Sequence, residues 1–202
     1  GGTELLMEQI ENLLGVPVDF YVTVNLKGFI ALVDQIDGVD FDIPINMDYD
    51  DPYQDLHIHF TKGPRHLNGQ EAMEVVRFRH NNTGYGPEDI GRIGTQQAFL
   101  KAVAKQLLQI GNVKNIPALV DIFYTYVKTD LTTGNLVWLG NEALNIGTEN
   151  IHFATLPGDG SGYYNKQSVY VLDAQATCDL VNEALNPYNE ALTLEDMDIP
   201  VP

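Results

Sequence analysis

The apolar positions of this chain change period several times, and each change marks an element. Residues 3–14 carry Leu6, Ile10, Leu13 and Leu14 on one helical face, with Thr3 as N-cap and Gly15 as the stop. Residues 18–25 (VDFYVTVN) are β-branched and aromatic and read as a strand. Residues 27–36 hold Phe29, Ile30, Leu32, Val33 and Ile36, a helix apolar around most of its circumference and closed by Asp37-Gly38. Residues 39–45 (VDFDIPI) alternate apolar with acidic, as in a half-exposed strand. An Asp-rich loop over 46–56 leads to a short strand, HIHF, at 57–60. A turn over 62–69 precedes a helix at 70–79. Loop 81–87 precedes a long helix at 88–110, started by Pro87 and Glu88-Asp89. Further helices are expected at 116–127 and 135–145, the second capped by Thr132 or Thr133. Strands at 151–157 and 168–172 flank a Gly-rich loop, and a helix at 173–186 follows. The acidic tail 188–202 is expected to fray. Alternating helices and strands over 1–187 predict one α/β layered domain.

Composition narrows what such a domain does. Hydrophobic residues make up 44% of 202, enough for a real core. Twenty-eight acidic residues against 11 basic give a net charge of −17, which argues against nucleic acid and against a polybasic grip on an anionic membrane. A lone cysteine, Cys178, excludes an intrachain disulfide and a Cys-rich zinc site and reads as a small core residue.

Against this acidic background the arginines stand out. The chain has four, and Arg77, Arg79 and Arg92 fall within sixteen residues, with His80 among them. Guanidinium groups suit bidentate contact with phosphate oxygens. Loop 81–87 folds the chain back between the two helices, so the three can converge on one anion beside a helix start. Surface pairing with Glu74, Glu88 and Asp89 is the plainer reading, and the residues leave both open. The apolar helix 27–36 likewise reads either as one wall of a greasy pocket or as a helix buried against a sheet, and composition favours burial.

Several spaced strings then carry a resemblance. Asn25-Leu26-Lys27-Gly28-Phe29 is followed by Leu32-Val33-Asp34 and Asp37-Gly38-Val39. Phe60-Thr61-Lys62-Gly63 precedes Leu67-Asn68-Gly69-Gln70-Glu71-Ala72. Val76-Arg77-Phe78-Arg79-His80, Asp89-Ile90-Gly91-Arg92 and Gln96-Gln97 are the most specific, and Leu156-Pro157-Gly158 adds a further segment. In this order they resemble the LytR-CpsA-Psr family. The resemblance implies a three-layer α/β/α fold with a central mixed sheet flanked by helices. It implies a phosphotransferase on the outer face of the membrane, mostly in Gram-positive bacteria. Such enzymes move a glycopolymer (teichoic acid, capsule or arabinogalactan) from a polyprenyl-pyrophosphate carrier onto cell-wall peptidoglycan, with magnesium assisting. On this chain it makes Arg77, Arg79 and Arg92 phosphate-binding and Asp89 an orienting acid, all four in the catalytic set. It makes Lys27, Phe29, Leu32, Val33, Ile36 and Gln96 substrate-binding.

Two departures qualify what is implied. The family's Ser-Asp-Thr strand and Ile-Pro-Arg-Asp segment, which supply metal-binding aspartates and a further arginine, do not occur in these 202 residues. The expectation is that the magnesium ligands, some central strands and a membrane anchor lie in an N-terminal portion outside this sequence. Thr95 stands where many members have arginine, so the phosphate grip is expected to be weaker or differently arranged. A polyprenyl-phosphate binding protein without transfer, and a lipid pyrophosphatase, are the competing readings. A transcriptional attenuator is disfavoured by the charge.

Other candidate chemistry is thin. A calcium loop starting at Asp48 fails, because Tyr53 stands where glycine is needed and His59 where a bidentate Glu belongs. His57 and His59 share a strand face and can take a metal, but no third ligand is evident, and an exposed edge strand is the simpler reading. Ser161 sits in GDGSG, which is neither a nucleophile elbow nor a dinucleotide loop.

Overall fold

The computed structural model describes residues 1–84, 88–109, 116–146 and 148–200. Seven helices and eight strands are seen among them: α1 (Thr3–Leu14), β1 (Val22–Val24), α2 (Leu26–Gln35), β2 (Val39–Ile43), β3 (Met47–Asp51), β4 (Leu56–Phe60), β5 (Gly63–Leu67), α3 (Gly69–Arg77), α4 (Glu88–Gln109), α5 (Ile116–Tyr126), β6 (Val127–Thr129), α6 (Thr133–Ile146), β7 (Gly158–Tyr164), β8 (Gln167–Leu172) and α7 (Ala174–Ala184). The α/β class expected from the sequence is the class observed. Pro87, expected to start α4, lies outside the described residues. Among the described residues every ladder is a two-stranded antiparallel one, pairing β1 with β6, β2 with β5, β3 with β4 and β7 with β8. The chain divides into two compact units, Val22–Phe153 and a second one of Gly1–Tyr21 with Ala154–Pro202.

The larger unit is built on alternation. Val39, Phe41 and Ile43 of β2 are buried while Asp40 and Asp42 face out, and Leu56, Ile58 and Phe60 of β4 do the same against His57 and His59. β3 forms where a loop was expected. Its aspartates lower strand propensity, but Met47 and Tyr49 alternate inward, and Asp48 and Asp50 pair in register with His59 and His57. Asp51 closes the hairpin by accepting the N–H groups of Tyr53 and Gln54 with Oδ1. β5 also replaces an expected turn; it ends a two-stranded ladder, where Pro64 removes no needed donor.

Helix α3 starts with a capping box, Asn68 Oδ1 accepting from Glu71 N–H and Glu71 Oε2 from Asn68 N–H. It crosses α2 so closely that a Cβ at Gly69 would stand 2.3 Å from the Ile30 carbonyl oxygen. The Gly69 N–H there donates to Asp34 Oδ1 at 2.7 Å. The core between these elements holds Val33, Ile36, Ile43, Leu67, Val75 and Phe99, all wholly buried. Phe99 of α4 is its hub, with ring centroids 5.7 Å from Phe29 and 5.3 Å from Phe41.

In the smaller unit the described part of the tail is docked rather than frayed. Leu192, Met197 and Ile199 pack against Val16, Cys178 and Val181. The Asn182 side-chain amide behaves like a strand partner, donating to the Leu192 carbonyl and accepting its N–H, and Asp198 N–H bonds the Asn12 carbonyl. Cys178 is a buried core residue, as expected. The expected strand at 151–157 makes no ladder; the Gly-rich segment after it forms β7 instead. Gly158 admits the β8 backbone there, since a Cβ would stand 2.3 Å from the Val171 carbonyl oxygen, and a Cβ at Gly162 would stand 2.3 Å from the Val171 side chain. Thr3 opens α1 rather than capping it, and Gly15 ends it in the left-handed conformation (φ 66°) as expected. Residues 18–21 lie outside β1, because extended propensity needs a partner strand and β6 reaches only Val22–Val24. Thr132, rather than Thr133, caps α6 by accepting the Asn135 N–H.

Two consequences can be measured. Phe99→Ala should lower unfolding free energy by about 3–5 kcal/mol, the range for truncating a fully buried aromatic, read from denaturant midpoints. His66 Nδ1 lies 2.8 Å from Asp40 Oδ1 across the β2–β5 ladder. That carboxylate, by accepting a hydrogen bond, raises His66 above its ordinary value, with Asp37 adding to the effect and partial burial opposing it. A raised folded value means the stabilisation is complete below the unfolded value of about 6.5 and is lost as pH climbs through the raised one. The melting-temperature difference between wild type and His66→Gln should therefore be largest in mild acid and vanish in mild alkali.

Candidate functional site

The site is assembled where α3 ends. The chain leaves Arg77 extended through Phe78 (φ −61°, ψ 130°). Successive side chains of an extended segment point to opposite sides. Phe78 goes into the core, at 2% exposure, and Arg77 and Arg79 on either side of it reach the same cavity. Arg77 Nη2 donates to Gln54 Oε1 at 2.7 Å, and Gln54 belongs to the β3–β4 turn. Arg92 arrives from the second turn of α4, with its Nε buried. One turn later Gln96 donates Nε2 to the Val76 carbonyl at 2.9 Å, which fixes α4 against the last turn of α3.

The cavity so formed has a volume of about 370 Å³. Arg77, Arg79, Arg92 and Gln96 line it together with His80 and Val76; Tyr49, Gln54 and Leu56 come from the hairpin and Leu26 from the start of α2. His80 meets Tyr49 edge to face, with ring centroids 5.6 Å apart. Asn81 and Asn82 bind the β3 backbone, accepting the N–H groups of Asp48 (2.6 Å) and Asp50 (3.0 Å), so the segment after Arg79 is tied to the hairpin. A space ringed by guanidinium groups and an amide is chemically a receptor for an oxyanion.

The structure treats the other candidates differently. Asp89 falls in α4, and its side chain lies outside the described residues. Lys27 is exposed on the first turn of α2, and Phe29 and Leu32 are half-buried. Val33 and Ile36 are wholly buried in the core, while Leu26 at the start of α2 lines the arginine cavity. Thr95 is buried, donates to the Gly91 carbonyl, and faces a second cavity of about 460 Å³ with Phe41, Ile45 and Ala98. That space lies on the other side of α4, and its lining is mostly apolar. Tyr49, Gln54 and Leu56 were hidden in sequence by the loop expected over 46–56; the inward alternation of Met47 and Tyr49 was the signal.

Magnesium binds hard oxygen ligands, chiefly carboxylates and water. No carboxylate is among the described residues lining the arginine cavity, so they do not fit that ion. The described residues that cluster as metal ligands, Asp50, His57 and His59, lie on the outer face of the hairpin and are mostly nitrogen donors.

Residues 1–186 match the LytR_cpsA_psr family. The chain belongs to that family. It is 30% identical over 181 residues to the polyisoprenyl-teichoic acid–peptidoglycan teichoic acid transferase TagV of Bacillus subtilis (strain 168), covering 88% of this chain and 44% of that protein. Over 183 residues it is 31% identical to the corresponding transferase TagU of Bacillus cereus, covering 91% of this chain and 57% of the relative. The crystal structure of B. subtilis TagV superposes with a TM-score of 0.67 at 29% identity, over 88% of this chain and 66% of that one. The chain thus spans about half the length of these curated relatives. No helix among the described residues is long and apolar enough to cross a membrane.

Gln96 gives a test of how this LytR-CpsA-Psr site is held together. Gln96→Leu keeps the volume but leaves the Val76 carbonyl without that donor. It should cost about 1 kcal/mol in chemical denaturation, the net worth of one such bond.

Proposed function

We propose that this domain transfers a glycopolymer from a polyprenyl-pyrophosphate carrier to peptidoglycan. The observation that supports it is the meeting of Arg77, Arg79 and Arg92 around one cavity in a chain of net charge −17. The names of its Bacillus relatives point to the same chemistry and to a polyisoprenyl-linked teichoic acid as donor class, and the family resemblance implies the outer face of a Gram-positive membrane as the place of work.

In the reaction a peptidoglycan sugar hydroxyl attacks the phosphorus that carries the glycan. The new P–O bond forms a phosphodiester, the bridging P–O bond of the pyrophosphate breaks, and polyprenyl phosphate departs while the hydroxyl proton is released. Charge on the transferring phosphoryl oxygens and on the leaving phosphate is spread and negative, so catalysis asks for positioning and neutralisation. Arg77, held by Gln54, and Arg79 beside it bind the phosphate oxygens from one side. Arg92 meets them from α4. Gln96 positions α4, and Asp89 orients an arginine. Lys27, at the start of α2, adds a cation toward the headgroup. The mostly apolar cavity across α4 supplies space for the first isoprene units. The neutralisation comes from these side chains; magnesium, which the family resemblance implies, finds no carboxylate among the described residues of the arginine cavity.

One feature favours a narrower reading. A cavity with arginines and no carboxylate among its described lining residues is also what a carrier-binding protein without transfer requires. Reconstitution of the native protein with a polyprenyl-pyrophosphate glycan donor, peptidoglycan and magnesium separates them. Transfer should occur, and Arg79→Ala or Arg92→Ala should lower its rate on the order of a hundredfold or more, as loss of a transition-state charge contact does. Donor binding without product selects the binding reading; release of free phosphorylated glycan to water selects the pyrophosphatase.

A further inference from the structure

The outer face of the β3–β4 hairpin carries a constellation that the transfer chemistry does not use. We propose that Asp50, His57 and His59 bind a borderline divalent cation of the zinc class. Their ligand atoms all lie within 4.8 Å of one another. Asp50 faces His57 across the ladder and His59 lies two residues further along the same face, so antiparallel register brings the three together. A sequence scan along β4 alone finds only two of them.

The arrangement of the ring nitrogens carries the argument. His57 Nδ1 is 2.5 Å and His59 Nε2 3.2 Å from the same oxygen, Asp50 Oδ1. The far nitrogen of each ring also faces a carboxylate: His59 Nδ1 is 2.8 Å from Asp48 Oδ1, and His57 Nε2 is 3.6 Å from Asp55 Oδ1. A neutral imidazole has one N–H and one lone pair. The short His57–Asp50 contact is a hydrogen bond from Nδ1–H, and when Asp48 takes the N–H of His59 the His59 Nε2 lone pair faces that same carboxylate oxygen. A cation that replaces the proton between His57 and Asp50 takes all three atoms as ligands. An outer carboxylate such as Asp48, which fixes the tautomer of His59, is a usual neighbour of a metal-bound imidazole.

Two imidazoles and one carboxylate suit zinc and its neighbours and are poor for magnesium or calcium. Ligands at zinc distances stand about 3.3 Å apart in a tetrahedron; His59 and Asp50 are already at 3.2 Å, and His57, at 2.5 Å from Asp50, would have to move outward. The three side chains are about half exposed, which leaves a coordination position open to water. The ion would tie β3 to β4 on the face opposite Tyr49 and Leu56, two walls of the arginine cavity.

The test is a titration of chelator-washed native protein with Zn²⁺ by calorimetry and with Co²⁺ by visible absorption, in excess Mg²⁺. One ion per chain should bind, and zinc should shift the imidazole nitrogen resonances of His57 and His59 but not those of His66, His80 and His152. The double variant His57→Gln/His59→Gln should lose binding, and Asp48→Asn should weaken it about tenfold, as loss of an outer-shell partner does. All three positions are exposed, and circular dichroism checks that the variants fold. No stoichiometric binding, resonance shifts at other histidines, or less than a tenfold loss in a folded double variant would overturn the site.

Discussion

The burial of Phe78 is the contact on which the arginine cavity depends. Arg77 and Arg79 are two residues apart, and only an extended backbone between them puts both guanidinium groups on one side. Phe78 holds that conformation by occupying the core while its neighbours face the cavity. Three like charges around one space repel one another, so their convergence has to be held by packing elsewhere. Phe99 anchors α4 in the same core, and the Gln96 bond to the Val76 carbonyl fixes its approach to α3.

The β3–β4 hairpin serves both sides of this arrangement. Its inner residues alternate into the core and the cavity wall; its outer residues are aspartates and histidines. A strand separates two incompatible environments at a spacing of one residue, which a helix or loop does not. An arginine cluster and an acidic, histidine-bearing face therefore coexist on a single hairpin. Asn81 and Asn82 bind the β3 backbone directly, so hairpin and arginine segment form a continuous structure.

In a chain this acidic, a local group of arginines is a focused positive spot in a negative field. Such a spot discriminates among anions by geometry, because the surroundings repel any anion the guanidinium fork does not hold.

The sequence by itself determined the elements whose apolar period is strong, α1, α2, β2, β4 and α7, together with the arginine window and the membership those motifs imply. Periodicity reports which side of an element faces the core, and it is local. Tertiary structure alone decided the rest. β3 and β5 exist because partner strands complete their ladders, which overrides the turn-like composition of Asp-rich and Pro-containing segments. Val33 and Ile36 of α2 went into the core, because Gly69 lets α3 come close and Phe99 packs in the same cluster. The tail is docked because Asn182 supplies it a backbone-like partner. The third ligand of the histidine pair came from across a ladder. Each of these rests on contacts between residues distant along the chain, and no local pattern encodes which partner will be there.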